Sequence, residues 1–206
     1  MRKLRSQSFL NSSEEFEKTF HERRRASPNW MDIYRWEELV KSFKGGRLID
    51  LCCLDSLVPL MAKTRYPGAE VWGLDRAEGI IRELAEAEPR INYTVGDVYE
   101  TNFPDGYFDY VVAGELIEHL ERPQDFMKEA FRILKSGGKL ALTTPLEETE
   151  AGEVDHKRHL WSFTKVDIRA LARPYMRGAK TKIIPTWFER RIKYHHPYIL
   201  CLISKK

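Results

Sequence analysis

The sequence predicts a doubly wound α/β fold with a mostly parallel sheet and an antiparallel hairpin at one edge. Three observations carry this prediction. Strand-like and helix-like segments alternate from Arg47 to Thr143, as a sheet covered by helices on both faces requires. Short continuous apolar runs such as Tyr110-Val111-Val112-Ala113 suit parallel strands buried on both sides. The last two strand-like stretches, Lys180 to Pro185 and Tyr198 to Ile203, have no long crossover between them, so they pair antiparallel through a loop from Trp187 to Pro197.

Each element has its own local reason. In the polar first thirty residues, Phe16 and Phe20 stand four apart on one helical face, which reads as a leader or lid helix. Trp30, Ile33, Tyr34, Leu39 and Val40 recur at roughly helical spacing, and Lys44-Gly45-Gly46 stops that helix. Strands are expected at Leu48 to Leu51, Glu70 to Leu74, Asn92 to Val95, Phe108 to Ala113 and Lys139 to Thr143. Helices are expected at Leu57 to Arg65, Ala77 to Glu86, Glu115 to Leu120, Pro123 to Leu134 and Lys165 to Ala172. The reading divides a single domain into a helical lid (1–44), a ligand-binding core (45–145), and a substrate-side loop with edge strands (146–206).

Composition narrows the class. With 206 residues, 42% of them hydrophobic and 12% aromatic, the chain has material for one buried core, which argues against general disorder. No run approaches the roughly 18 apolar residues of a membrane span, and the opening MRKLRSQSFLNSSEEF lacks the apolar stretch of a secretory signal. Three cysteines, two of them adjacent at Cys52 and Cys53, make no disulfide framework, so a cytoplasmic, reducing setting is expected. The net charge of +3 divides into +3 for residues 1–30, −9 for 31–150 and +9 for 151–206. An acidic core with a basic tail suits either a second, anionic partner or a solvated tail.

In such a sheet, ligands bind beyond the carboxyl ends of the strands. Strand one ends in Asp50 and the loop Leu51-Cys52-Cys53-Leu54-Asp55-Ser56, strand two in Asp75, strand three in Gly96-Asp97 and strand four in Gly114-Glu115. Each supplies a carboxylate. An acid at the end of strand two is placed to hold a ribose diol, whereas any one of these residues alone is equally a helix cap or turn former.

From about Arg47 to Pro145 the sequence resembles the class I S-adenosylmethionine-dependent methyltransferases, a Rossmann-like family, and within it the small-molecule subgroup related to ubiquinone-pathway enzymes. The block FPDGYFDYVVAGELIEHLERPQDFMKEAFRILKSGGKLALTTP, Phe103 to Pro145, carries the likeness. The resemblance implies that Asp75, with Arg76 beside it, binds the cofactor ribose, and that Gly96, Asp97 and Val98 meet the adenine. Asp50, Leu51 and Cys52 would face the methionine end, with Gly114 and Glu115 beside the sulfonium. It implies transfer of a methyl group from S-adenosylmethionine, leaving S-adenosylhomocysteine, to a small-molecule or carbohydrate-like acceptor, at oxygen. A nucleic-acid methyltransferase and a non-catalytic binding protein of the same fold are the competing readings.

The first loop departs from the family. Where the family has Asp-x-Gly-x-Gly-x-Gly, this chain has Cys52, Leu54 and Ser56. Either the loop takes another path, with Asp55 or Ser56 capping the next helix, or the side chains crowd the cofactor. The Cys52-Cys53 pair lacks CxxC spacing and reads as packing.

Methyl transfer to oxygen needs a proton acceptor, and His119 and His159 are the candidates. Glu115-Leu116-Ile117-Glu118-His119 puts two carboxylates and an imidazole on one face if helical, and Asp155-His156-Lys157-Arg158-His159 follows the fifth strand. Together these resemble a metal-assisted branch of the family, which includes small-RNA end methyltransferases. That resemblance implies a divalent cation, magnesium by preference, on Glu115, Glu118, His119 and His159 or His156. Without a metal, Glu118 and His119 cap and solvate the helix. Arg190-Arg191-Ile192-Lys193-Tyr194-His195-His196 reads as a solvated loop, with nucleic-acid phosphate the competing partner, and Arg23-Arg24-Arg25 as a phosphate clamp or a helix C-terminal charge cluster. No motif names the acceptor or the oligomeric state.

Overall fold

The computed structural model describes residues 2–3, 30–54, 57–146, 159–184 and 198–206. Phe16, Phe20, Arg23 to Arg25, Asp55, Ser56, His156 and the segment 187–197 lie outside the described residues, and so do the expectations attached to them.

The elements follow in chain order: α1 (Trp30–Val40), β1 (Arg47–Leu51), α2 (Leu57–Arg65), β2 (Glu70–Asp75), α3 (Glu78–Ala87), β3 (Asn92–Val95), β4 (Phe108–Gly114), α4 (Pro123–Ile133), β5 (Leu134–Pro145), α5 (Lys165–Ala172), β6 (Met176–Ile184) and β7 (Tyr198–Lys205). The main sheet has seven strands in the order β3-β2-β1-β4-β5-β7-β6. Strands β1 to β5 pair in parallel, and β7 runs antiparallel between β5 and β6. The edge hairpin is therefore as expected. The strand order reverses between β1 and β4, which opens a crevice at their carboxyl ends.

Period-two alternation along the central strands feeds two cores. Ile49, Leu51, Val111, Leu140 and Leu142 pack on one face with Phe126, Met127, Ala130 and Phe131 of α4. Leu48, Tyr110, Val112 and Ala141 pack on the other with Trp36, Leu39, Val40 and Phe43. Helix α1 buries 32, 35, 36, 39 and 40, a true i, i+3, i+4 stripe that Phe43 continues just past its end, while Ile33 and Tyr34 face solvent. The turn after α1 needs glycine at Gly46, whose φ is +91°; a Cβ there would lie 2.5 Å from the Asp109 carboxylate. That carboxylate instead accepts the Arg47 amide at 2.8 Å and starts β1.

Two elements differ from expectation. Strand β5 begins at Leu134, well before Lys139, because Leu134 already pairs with Phe108; residues 135–138 form a bulge before the ladder resumes with Lys139 opposite Tyr110. The segment Glu115 to Leu120 is not an α-helix. Only Ile117–His119 form a 3-10 turn, because Glu115 adopts a φ of +54° while its amide donates to the Thr143 carbonyl. Among the described residues no helix is long and apolar enough to cross a membrane.

Candidate active site

The carboxyl ends of β3, β2, β1 and β4 lie side by side. Asp50 pairs in register with Gly73 and Val112, and Asp75 with Val95, so the four strand-end acids line one edge of the sheet. The Asp75 carboxylate is buried, and its Oδ1 accepts the Ala77 amide at 3.1 Å, at the start of α3. Asp97 behaves similarly: its Oδ1 accepts the Tyr99 amide at 2.8 Å in a turn. Both bonds are turns to the residue two positions on, and neither acid is a helix cap, the N-cap of α3 being Ala77.

The first loop places a side chain where the backbone favours glycine. Cys52 has a φ of +74°, and the amides of Cys52 and Cys53 both donate to the Leu74 carbonyl, at 2.8 and 3.1 Å. Leu54 is not in the left-handed region; Cys52 and Glu115 are the two non-glycine residues found there among the described residues. Burial, and then the carboxylates of Asp75 and Asp50, hold the Cys52 thiol well above its ordinary pKa range. It is a neutral packing group, and all three cysteines are free thiols. Leucine side chains fill the space beside two glycines: a Cβ on Gly96 would meet Leu74 Cδ1 at 2.9 Å, and one on Gly114 would meet Leu39 Cδ1 at 3.1 Å.

Beyond β4, the 3-10 turn brings Glu118 and His119 to His159. One ligating atom from each lies within 4.8 Å of the others, and the two imidazole rings sit edge to face with centroids 4.9 Å apart. Backbone and indole donors fix this meeting across forty residues: the Leu160 amide donates to the Glu118 carbonyl at 2.8 Å, and the Trp161 indole to the Leu120 carbonyl at 2.7 Å. The Glu118 side chain is 1% exposed. Its pKa is raised by burial, opposed by His159.

Glu115 does not join that group. Its Oε2 lies 3.9 Å from Arg35, which is 3% exposed and pairs with Asp32 at 2.9 Å. The Arg35 guanidinium also sits over the Tyr198 ring, 4.7 Å from its centroid. Burial raises the Glu115 carboxyl, with Arg35 opposing. Sequence reasoning missed Asp32, Arg35 and Tyr198. The available signal was a charged pair at i, i+3 within the apolar stripe of α1, since ions on a buried face need a partner.

Comparison with known proteins agrees with this geometry. Residues 49–142 match the family model described as a methyltransferase domain. Demethylmenaquinone methyltransferase of Listeria monocytogenes is 32% identical over 111 residues, covering 50% of this chain and 46% of that protein. Residues 49–142 are a methyltransferase domain. A probable S-adenosylmethionine-dependent methyltransferase of Mycolicibacterium smegmatis is 36% identical over 75 residues, covering 36% of this chain and 29% of its own length. The chain thus matches about half or less of the length of these curated relatives. Among solved structures, phosphoethanolamine N-methyltransferase 2 of Haemonchus contortus, in complex with phosphomonomethylethanolamine and S-adenosylhomocysteine, superposes with a TM-score of 0.75. It is 17% identical and covers 98% of this chain and 61% of its own, a likeness of fold. The family match ends at residue 142, within β5, so α5, β6, β7 and His159 lie beyond the matched residues.

Proposed function

We propose that the chain is an S-adenosylmethionine-dependent methyltransferase that methylates an oxygen of a small or carbohydrate-like acceptor. One observation carries the reading: four acids on four adjacent strand ends, with Cys52 holding the backbone turn that the family builds with glycine. The residues present fit the cofactor. Asp75 would bind the ribose diol and Arg76 flank it, Gly96, Asp97 and Val98 would meet the adenine, and Asp50, Leu51 and Cys52 would face the methionine end. Gly114 and Glu115 would border the sulfonium.

The cofactor brings a methyl group already activated on sulfur, so the protein's tasks are alignment and exclusion of water. In this reading the acceptor oxygen lies against Glu118, His119 and His159. The imidazoles are the groups there suited to taking up a hydroxyl proton near neutral pH. Demethylmenaquinone, named for a relative, and phosphoethanolamine, the acceptor of an N-methyltransferase of similar fold, are assayed beside hydroxyl-bearing small molecules; turnover at nitrogen or carbon alone would overturn the oxygen assignment.

Calorimetric titration with S-adenosylhomocysteine tests the cofactor assignment. Asp75→Ala should weaken binding by roughly 1.5–3 kcal/mol, the range for hydrogen bonds to a charged group, with the fold retained by circular dichroism. Parent and variant isotherms that overlay would reduce Asp75 to a turn former ahead of α3.

A further inference from the structure

The Glu118 carboxylate is buried with nothing bonded to it. Its side chain is 1% exposed, and neither oxygen has a hydrogen-bond partner among the described residues. Thr144, wholly buried near the end of β5, carries its hydroxyl close enough to lower the pKa of this carboxylate, and that oxygen too is without a partner. Three buried oxygens therefore lie together with no N–H group on any of them. Such an arrangement is costly unless donors meet it.

The protein brings no permanent cation to this place. Arg35 pairs with Asp32 at 2.9 Å and lies 3.9 Å from Glu115, whereas no lysine or arginine among the described residues forms an ion pair with Glu118. Its neighbours are imidazoles: His119 Nε2 is 4.0 Å from Oε1, and His159 stands beside both. Protonating an imidazole would supply the missing charge. It would also remove the lone pair that takes up the acceptor's hydroxyl proton. With the imidazoles neutral, as that role requires, the positive charge has to arrive with the acceptor.

A primary ammonium offers three N–H donors, matching in number and charge the two oxygens of Glu118 and the one of Thr144. A hydroxyl offers one donor and no charge. The opening is on the imidazole side, where the His119 side chain is 35% exposed, and Thr144 lies at the buried end. The frame is fixed before any ligand enters, by the Leu160 amide on the Glu118 carbonyl and the Trp161 indole on the Leu120 carbonyl.

We propose that Glu118 and Thr144 form a subsite for an ammonium group of the acceptor. The acceptor is then an amino alcohol, amino sugars included, whose amine is held there while its hydroxyl meets the imidazoles. The inference rests on the methyl-transfer reading and its imidazole base, and it narrows the small or carbohydrate-like acceptor to one chemical class. Demethylmenaquinone, which has no amine, falls outside that class. Phosphoethanolamine, an amine without an alcohol group, becomes a ligand and not a substrate.

The test uses the full chain at neutral pH with EDTA present, so that no metal contributes. Glucosamine is titrated beside glucose, and ethanolamine beside ethylene glycol, by calorimetry. We expect each amine to bind at least about tenfold more tightly than its amine-free counterpart, the scale of one hydrogen bond to a charged group. Glu118→Gln should reduce that preference to less than about twofold. Thr144→Val, which keeps the shape of the side chain, should weaken amine binding about threefold to tenfold. Glu118→Gln should also raise the thermal midpoint of the ligand-free protein, because it removes a buried charge that nothing neutralises. Equal affinity for amine and counterpart, a preference that survives Glu118→Gln, or a lower midpoint for that variant would each overturn the proposal, as would turnover of demethylmenaquinone. Titration of the same samples with S-adenosylhomocysteine keeps the two readings apart: cofactor binding without amine preference ends this proposal and leaves the cofactor assignment standing.

Discussion

Cys52 shows how one side chain can oppose its own backbone. A non-glycine residue in the left-handed region carries a cost of about 1 kcal/mol, and here its Cβ and thiol also stand among Asp50 and Asp75. Replacing it with glycine relieves both, at the expense of unfolded-state entropy and a little packing. Cys52→Gly should therefore bind S-adenosylhomocysteine about tenfold tighter, equivalent to about 1.4 kcal/mol, with urea stability changed by less than about 0.5 kcal/mol. Leu54→Gly should gain no affinity and lose roughly 1 kcal/mol of stability, because Leu54 lacks a positive φ and packs on the Cys53 and Leu84 cluster. Calorimetry and urea titration on the two variants decide this; equal affinity of Cys52→Gly and parent would mean the thiol does not limit the pocket.

At the scale of elements, the segment between β3 and β4 carries Gly96, Asp97 and Val98 with no helix of its own, and α4 holds it in place. Arg132 donates to Glu129 at 2.7 Å through two nitrogens, to Asp105 at 2.7 Å, and to the carbonyls of Phe103 and Thr101 at 2.8 and 3.1 Å. Glu129 in turn accepts the Thr101 amide and hydroxyl at 2.7 and 2.6 Å. Burial alone would raise the Glu129 carboxyl, but the bonds from Arg132 and Thr101 prevail and lower it. A folded pKa below the unfolded one means stability that is present above about pH 4.3 and lost as pH falls through the folded value. The parent should lose stability on acidification below that point more steeply than Glu129→Gln, measured by urea unfolding at a series of pH values. Arg132→Ala should cost roughly 2–4 kcal/mol by leaving the buried Glu129 without its cation and should weaken cofactor binding through the Asp97 loop. Parallel acid profiles for parent and Glu129→Gln would remove the network from this account.

Across the whole molecule, the antiparallel strand β7 lies inside the sheet, between β5 and the edge strand β6, with Ile199, Cys201 and Ile203 fully buried. It therefore joins the edge strand β6 to the parallel core. Ile203→Ala should cost about 2–5 kcal/mol, as for a buried aliphatic side chain cut to alanine, with tryptophan fluorescence and circular dichroism reporting one coincident transition. Separate transitions for the two probes would show that the β6-β7 edge unfolds independently of the rest.

Local rules in the sequence were enough to determined the alternation of elements, the parallel core, the edge hairpin and the acids at four strand ends. Apolar period and turn residues act over a few positions, and topology then places successive strand ends along one crevice. What they could not settle was the company each acid keeps. Spacing put Glu115, Glu118 and His119 on one helical face, but the Thr143 carbonyl captures the Glu115 amide and the backbone turns left-handed there. Glu115 then meets Arg35, eighty residues earlier, and Glu118 meets His159, forty-one later. Those partners are chosen by the packing of α1 on β4 and by the hydrogen bonds of Leu160 and Trp161 to the turn, long-range contacts for which the intervening sequence has no period to read.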